Sequence, residues 1–326
     1  MTTDGSVDVI VSEVGPRDGL QNVKRTMPTA TKIQWVTALA AAGLREIEVA
    51  SFVPPKLLPQ MADAEEIVRA ARNIPGIKVL ALAPNLRGAE RAAAAGVTTI
   101  SMPVSASREH SQANLHMTPE EAVEQVRKVR QLCDSLASTR PVGLEVGIST
   151  AFGCSLQGLV PEDWVIELAV MVAEAGAESV GLSDTAGYAN PAQVKRMFAQ
   201  LRSELGDKAG AAHFHNTLGQ GLANVLAALE VGVTTFDASQ GGLGGCPYAP
   251  GASGNIVTED LVFLLETMGL RTGIDIERLL AARAFIHEGL PGEHVYGHVA
   301  DAGLPKVFQY ADGSQTSVSS NAATCS

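Results

Sequence analysis

Short apolar segments alternate with longer helical segments along nearly the whole chain. Several of the apolar segments are almost continuous runs of apolar or small residues, a pattern typical of parallel strands that are covered on both faces. They predict eight strands, at Val9–Val14, Glu46–Ser51, Lys78–Leu82, Thr98–Val104, Val142–Ile148, Ser179–Ser183, Ala209–His215 and Thr234–Ser239. Helices are predicted at Thr29–Ala42, Ala62–Ala71, Leu86–Ala95, Thr118–Ala137, Pro161–Ala175, Pro191–Leu205, Gly219–Val231 and Asn255–Met268.

The predicted helices carry start and stop signals. Thr118 precedes Pro119 and two acidic residues, which supply an N-cap, a first-turn proline and charges that suit the helix dipole. A glycine follows four helices just before a strand begins, at Gly43, Gly96, Gly176 and Gly232. The repeated order of helix, glycine and strand predicts a closed (β/α)₈ TIM barrel. An open doubly wound sheet is the alternative, but no strand is followed by the GxGxxG turn typical of that fold.

The C-terminal part extends beyond the eight repeated units. One or two further helices are predicted after Gly269, around Asp275–Glu288. Residues 1–310 are predicted to form a single domain, because no linker separates a second one. Ala311–Ser326 is rich in Ser, Thr, Asn and Gly, and this composition predicts a disordered tail.

Composition excludes several classes of protein. The chain has 326 residues, of which 46% are hydrophobic, so it can bury a large core and is not a disordered chain. The formal charge of -11 argues against nucleic acid or an anionic membrane as the main partner. No apolar run approaches the roughly 18 residues that a membrane span needs.

The N-terminus and the cysteines bear on the compartment. Met1–Val7 has neither the basic start nor the apolar stretch of a signal peptide. Four cysteines are spread along the chain without a CxxC pair, at Cys133, Cys154, Cys246 and Cys325. A reducing compartment fits this pattern better than a disulfide framework does, so the sequence predicts a cytoplasmic protein.

The end of the seventh predicted strand holds the most informative motif, His213-Phe214-His215. Alternate residues of a strand face the same side, so both imidazoles can reach one metal ion. A lone His-x-His pair also occurs at ordinary surface or core positions, so the motif needs support from other parts of the chain.

That support comes from reactive residue types near the ends of other predicted strands, where the active sites of (β/α)₈ enzymes lie. The set comprises Arg17, Asp18, Glu48, Asp184, Cys246 and Asn255. Each has an ordinary structural alternative, such as a turn for Asp18, a loop start for Asp184 or a helix cap for Asn255. Together with the two histidines, the carboxylate and amide oxygens form a mixed site that suits Mg²⁺, Mn²⁺ or another divalent ion.

Arg17 and the glycine-rich segment around Cys246 indicate how such a site could work. Arg17 is placed to stabilise a developing oxyanion, or to form a salt bridge with Glu48 or Asp184. The glycines around Cys246 favour a loop that closes over the site, excludes water and brings the thiol to the reacting atoms. A rigid turn is the alternative.

Four segments carry a resemblance to a known family. They are residues 15–22 (GPRDGLQN), 51–56 (SFVPPK), 213–217 (HFHNT) and 242–255 (GLGGCPYAPGASGN). These segments resemble 3-hydroxy-3-methylglutaryl-CoA lyases, which belong to a superfamily of metal-dependent lyases and Claisen-type synthases built on a (β/α)₈ barrel. The Arg-Asp and His-x-His motifs mark the wider superfamily, whereas the cysteine loop is specific to the lyase branch. The resemblance runs from about Val9 to Leu270.

The resemblance implies a metal-dependent cleavage of 3-hydroxy-3-methylglutaryl-CoA into acetyl-CoA and acetoacetate. The implied ligands of Mg²⁺ or Mn²⁺ are Asp18, His213, His215 and Asn255. Arg17 would hold the thioester oxygen, Gln21 would contact the substrate, and Cys246 would help to protonate the enolate carbon. Glu48 would orient Arg17 or a water, and Asp184 would touch the substrate or its proton network. A homodimer and a role in leucine degradation or related branched-acid metabolism are also implied.

Departures from the usual lyase pattern concern the substrate rather than the metal. Val23 and Asn216 stand where glutamate and aspartate are usual, and residues 102–107 differ at the end of the fourth strand. A lyase for a related acyl-CoA, such as citramalyl-CoA, is therefore an open alternative. A condensing synthase of the same superfamily is another, although the sequence shows no regulatory domain after the barrel. A catalytically silent acyl-CoA-binding protein is a third hypothesis, which no residue favours.

Overall fold

The strands form a closed parallel barrel in a computed structural model that describes residues 7–244 and 254–316. The strands follow one another around the barrel in chain order, and the last pairs with the first. They are β1 (Ile10–Glu13), β2 (Glu46–Ser51), β3 (Lys78–Leu82), β4 (Thr99–Ser105), β5 (Gly143–Ser149), β6 (Ser179–Asp184), β7 (Ala209–Phe214) and β8 (Thr235–Ala238). The predicted (β/α)₈ TIM barrel is confirmed.

Helices cover the outside of the barrel. They are α1 (Thr29–Ala41), α2 (Ala64–Ala71), α3 (Leu86–Ala95), α4 (Arg108–Leu115), α5 (Pro119–Leu136), α6 (Glu162–Glu174), α7 (Pro191–Leu205), α8 (Gly221–Leu229), α9 (Thr258–Thr267), α10 (Ile276–Gly289) and α11 (His298–Ala302). Sequence analysis missed α4 and α11, because both are short and carry no long apolar repeat. Within the described ranges, no helix is long and apolar enough to cross a membrane.

The predicted helix signals act as expected. Thr118 caps α5 by accepting a hydrogen bond from the Glu121 backbone N–H (3.2 Å), and the Glu121 carboxylate accepts one from the Thr118 N–H (2.7 Å). The four predicted helix-ending glycines all have positive φ, at Gly43, Gly96, Gly176 and Gly232. Gly96 shows why, because it ends α3 at a φ of 111°, where a side chain would be strained.

The inside of the barrel is polar and small, whereas branched aliphatic residues usually fill this fold. A cavity of about 910 Å³ extends from Thr234 at the base to His215 at the rim. Its lining within the barrel includes Ser12, Glu46, Lys78, Glu145, Gly181 and Asp237. Near the base, the Lys78 ammonium donates hydrogen bonds to Glu46 (3.2 Å) and Glu145 (2.5 Å). The apolar core therefore lies between the strands and the helices, and the barrel interior is available to build a site.

The C-terminal helices pack on the barrel helices. The Asp275 backbone N–H, at the start of α10, donates a hydrogen bond to the Ala42 carbonyl at the end of α1 (2.7 Å). The first residues of the predicted disordered tail, 311–316, form a turn in which the Tyr310 N–H donates to the Ser314 carbonyl (2.9 Å). Residues 317–326 lie outside the described residues.

Glu13, the last residue of β1, links the turn that follows β1 to the chain that follows β8, beneath the rim of the barrel. Its Oε1 accepts hydrogen bonds from the backbone N–H groups of Gly15 (2.8 Å) and Gln240 (2.9 Å), and its Oε2 accepts one from the Thr258 hydroxyl (2.7 Å). The side chain is fully buried. Burial raises the pKa of this carboxyl to about 8, although these hydrogen bonds oppose the shift.

Glu13→Gln should flatten the dependence of stability on pH. The folded-state pKa of about 8 lies above the ordinary 4.5, so the folded protein holds a proton that the unfolded chain releases between these values. The wild-type free energy of unfolding should therefore fall as the pH rises towards and through 8. Glutamine cannot ionise, and its amide can still accept the two N–H bonds and donate to Thr258.

The measurement is denaturant unfolding of both proteins between about pH 5 and pH 8.5. As the pH rises across this range, the free energy of unfolding of the Glu13→Gln protein should increase by roughly 2–4 kcal/mol relative to that of wild type. Parallel pH profiles for the two proteins would show that Glu13 does not carry this dependence.

Candidate active site

Residues from β1, β7 and the segment after β8 converge at the C-terminal rim of the barrel. Ligand atoms of Asp18, His213 and His215 all lie within 4.8 Å of one another. The Asn255 side chain joins them, because its Nδ2 donates a hydrogen bond to Asp18 Oδ2 (2.7 Å). The structure therefore brings the predicted metal ligands to a single point.

A tight turn after β1 places Arg17 and Asp18 in the cavity. The backbone N–H groups of residues 17, 18 and 19 all donate to the Val14 carbonyl, which makes a single π-helical turn of residues 15–19. A Cβ on Gly19 would lie 2.8 Å from the Leu243 Cβ, so glycine is needed where this turn meets the segment after β8. This close approach of the two segments holds Asp18 next to Asn255.

Two buried groups at this point have no hydrogen-bond partner in the described part of the chain. The unpartnered atoms are both ring nitrogens of His215 and Oδ1 of Asn255. His215 is only 5% exposed and Asn255 only 2% exposed. The amide orientation of Asn255 is fixed, since its Nδ2 donates to Asp18 and to the Leu243 carbonyl (3.1 Å). A buried polar group without a partner costs about 1–3 kcal/mol, and a divalent cation would bind one of these ring nitrogens and the amide oxygen at once. The residues present fit a metal ion.

The protonation states also suit a metal. Burial opposes ionisation of Asp18, but the charges of Arg17, His213 and His215 outweigh it and bring the pKa of this carboxyl to about 2. Burial lowers the pKa of His215 to about 4, with His213 adding to the effect. At neutral pH the site therefore offers a carboxylate and a neutral imidazole, the forms that bind a cation.

Arg17 is held beside the ligands by a buried ion pair. Its Nε donates to Glu48 Oε2 (2.5 Å) and its Nη1 donates to Asp18 Oδ1 (2.6 Å). Gln21 donates to the same Asp18 oxygen (2.7 Å). The salt bridge that the sequence left open is thus made with Glu48, and Arg17, Gln21 and Glu48 all line the cavity.

Asp184 is buried at the end of β6 and binds the backbone of the loop that follows. Its two oxygens accept hydrogen bonds from the backbone N–H groups of Tyr188 (2.8 Å) and Ala189 (3.1 Å). Asp184 does not line the cavity, and burial raises the pKa of its carboxyl to about 6. The loop-forming role of Asp184 is therefore observed, and its catalytic role stays a prediction.

The segment after β8 corrects one expectation and leaves another outside the described residues. Asn255 does not cap a helix, because α9 begins at Thr258 and its N-cap, Val257, makes no side-chain cap bond. A Cβ on Gly254 would lie 2.1 Å from the Gly242 carbonyl oxygen, so this glycine serves close packing of the chain. Cys246 and the loop expected to close over the site fall in residues 245–253, which are not described.

Sequence analysis missed one residue of the site, Asp237 on β8. Its Oδ2 lies 3.1 Å from Nδ1 of His213, and it lines the cavity. The Asp237 carboxylate outweighs burial and raises the pKa of His213. A single charged residue in the middle of an otherwise uncharged predicted strand was the available signal.

Fold and site together define a class of protein, the (β/α)₈ enzymes with a candidate metal site of aspartate and histidine side chains at the rim of the barrel. Residues 8–286 match the family described as HMGL-like, and the chain belongs to this family. It is accordingly a carbon–carbon lyase, and the predicted family resemblance is confirmed.

Named relatives and solved structures agree with this assignment. The chain is 40% identical over 280 residues to hydroxymethylglutaryl-CoA lyase YngG of Bacillus subtilis, covering 86% of this chain and 92% of that protein. It is 41% identical to a cytoplasmic 3-hydroxy-3-methylglutaryl-CoA lyase of Mus musculus, covering 85% and 80%. An HMG-CoA lyase of Acinetobacter baumannii, solved with coenzyme A and 3-methylmalate, superposes with a TM-score of 0.86 at 38% identity, covering 95% and 99%.

Proposed function

We propose that this protein cleaves 3-hydroxy-3-methylglutaryl-CoA to acetyl-CoA and acetoacetate, with Mg²⁺ or Mn²⁺ at the rim site. The observation that carries the proposal is the convergence of Asp18, His213, His215 and Asn255 beside the buried Arg17. The relatives that the chain matches over most of its length are named for this reaction. Oxygen and imidazole ligands suit Mg²⁺ and Mn²⁺, while no thiolate cluster of a structural zinc site is found among the described residues.

Four residues of the site bind the metal that activates the substrate hydroxyl. Asp18, His213, His215 and Asn255 hold the metal, which when bound lowers the pKa of the substrate's tertiary hydroxyl. A general base takes that proton, and the electron pair left on oxygen forms the ketone of acetoacetate as the adjacent carbon–carbon bond breaks. The electrons of the broken bond leave the enolate of acetyl-CoA.

Arg17 and Cys246 act on that enolate. Arg17 has one edge of its guanidinium fixed by Glu48, so it can hold the thioester oxygen where negative charge develops without having to reorganise. Cys246 helps to return a proton to the enolate carbon, a role that rests on the resemblance of its loop.

The test is acetyl-CoA release from 3-hydroxy-3-methylglutaryl-CoA with Mg²⁺ or Mn²⁺ and with chelator, alongside citramalyl-CoA. Metal-dependent cleavage of the first substrate is expected. Cleavage of citramalyl-CoA alone would keep the site assignments and move the difference to the acyl pocket. Thiol release from acyl-CoA and a 2-oxo acid, without cleavage of either lyase substrate, would favour a synthase.

Cys246→Ser should lower turnover by about 10²–10⁴ and leave metal affinity unchanged, because Cys246 acts on a proton and is not a ligand. Cys154→Ser is the matched control. The Cys154 sulfur accepts backbone N–H groups from Leu156 (3.3 Å) and Gln157 (3.4 Å), a role that a hydroxyl can keep, so its turnover should match wild type. Loss of metal from Cys246→Ser would show that the thiol is a ligand instead.

We further propose a cytoplasmic homodimer that acts in leucine degradation. Relatives named as cytoplasmic support the compartment, although others are named as mitochondrial. The dimer and the metabolic role rest on the family resemblance alone. Cell fractionation and sedimentation of the purified protein test the first two points, and a monomer in sedimentation would contradict the dimer.

A further inference from the structure

Asp237 and His213 face each other across the β7–β8 pair inside the barrel. The two residues are register partners, and Asp237 Oδ2 lies 3.1 Å from His213 Nδ1. On its other side, Asp237 is the register partner of Ser12 on β1. Pairing on both sides holds the Asp237 backbone in place, so its carboxylate is a rigid partner for the imidazole.

The two histidines of the motif differ in this respect. His213 has a carboxylate on Nδ1, whereas neither ring nitrogen of His215 has a hydrogen-bond partner within the described residues, and its Nε2 lies 3.9 Å from Asp18 Oδ2. An ionised carboxylate can only accept, so it keeps the imidazole proton on Nδ1 and leaves the Nε2 lone pair for a cation. Without that acceptor, the proton could move to Nε2 and block it, and the ring could turn.

We propose that Asp237 is a positioning residue of the metal centre, which fixes the tautomer and ring orientation of His213 and thereby sets metal affinity. Asp237 is not one of the four ligands and would act only through His213. The inference rests on the proposed metal site, and it adds a residue that no sequence motif identified. Among the described residues, His213 is the ion-pair partner that the structure gives to Asp237.

The first experiment measures Mn²⁺ affinity of the substrate-free protein for wild type, Asp237→Asn and Glu145→Gln. Asparagine keeps the size of aspartate, but its amide can donate to Nδ1 and move the proton to Nε2. Glu145→Gln is the matched control, because it also removes one carboxylate charge from the barrel interior, and Glu145 is the register partner of Ser101 and Ser179 rather than of a ligand. We expect Asp237→Asn to bind Mn²⁺ about 10–100-fold more weakly, and Glu145→Gln to stay within about threefold.

The second experiment reads the tautomer directly from ¹⁵N chemical shifts of labelled histidines, with His213→Gln used to assign the signal. Wild type should show protonated Nδ1 at His213 in the metal-free state, and Asp237→Asn should show a shift towards protonated Nε2. This measurement on wild type does not depend on how well any variant folds. Because Asp237 raises the pKa of His213, the spectra are recorded at a pH where this ring is neutral. A neutral wild-type His213 protonated at Nε2 instead of Nδ1 would overturn the inference.

The outcomes separate this inference from the proposed function. If wild type binds Mn²⁺ and Asp237→Asn binds it equally well, the role of Asp237 is wrong while the lyase proposal stands. If both carboxylate variants lose affinity equally, the effect is one of general charge, and the positioning role is wrong. If wild type binds neither Mn²⁺ nor Mg²⁺, both proposals fail.

Discussion

Asp18→Asn is expected to weaken divalent-metal binding by at least about 100-fold. Asp18 is the only carboxylate of the four proposed ligands, and both of its oxygens already accept hydrogen bonds, Oδ1 from Arg17 and Gln21, and Oδ2 from Asn255. Asparagine removes the charge and replaces one accepting oxygen with an NH₂ group that can only donate. In either orientation of the amide, this NH₂ group would face a hydrogen-bond donor, from Arg17 and Gln21 on one side or from Asn255 on the other. Because partners outside the ligand shell are typically worth 10–100-fold in affinity, loss of a ligand should cost at least that much.

Mn²⁺ titration of the purified proteins measures this effect, with Asp184→Asn as the control. Asp184 is also a buried carboxylate at the barrel rim, but its oxygens accept backbone N–H groups of its own loop. Asp184→Asn should therefore bind Mn²⁺ as wild type does, whether or not it is active. Wild-type affinity in Asp18→Asn would remove Asp18 from the ligand set. Loss of turnover in Asp184→Asn with unchanged thermal stability would support the catalytic role predicted for Asp184.

Arg17→Lys is expected to lower kcat by about 10²–10³ while metal affinity changes little. The guanidinium contacts Glu48 and Asp18 at the same time through different nitrogens. Lysine carries a single ammonium on a flexible stem, so it cannot keep both contacts and also hold the thioester oxygen. Removing one fixed donor from an oxyanion site typically costs this much in kcat.

Steady-state kinetics at saturating metal, with separate kcat and KM values, tests the Arg17 prediction. Arg108→Lys is the matched control, because Arg108 pairs with Glu120 on the exposed surface of α4 and α5, where such a pair contributes little. Its kinetics should match wild type. A kcat for Arg17→Lys within threefold of wild type would rule out Arg17 as the principal group that stabilises the oxyanion.

Much of the fold follows from local patterns in the sequence. The bounds of β2, β3, α3 and α7 agree with the predicted ones, and Thr118 caps α5 as predicted. These features depend on residues close together in the chain, and a regular strand–helix repeat admits few closed arrangements. The rim position of Asp18, His213, His215 and Asn255 follows in turn, because (β/α)₈ barrels bring the ends of their strands together.

The sequence by itself thus determined the barrel, the rim on which the site lies and the family. Only the tertiary structure decided the partners within the site, namely that Arg17 pairs with Glu48, that Asp184 closes its own loop and that Asn255 bonds to Asp18. It also placed Asp237 against His213. Residue type and spacing left these choices open. The contacts of Arg17, Asn255 and Asp237 join distant parts of the chain, so they depend on the register of the closed barrel, whereas the Asp184 contacts depend on the conformation of its own loop. That register is set by packing around the whole ring, which local sequence does not encode.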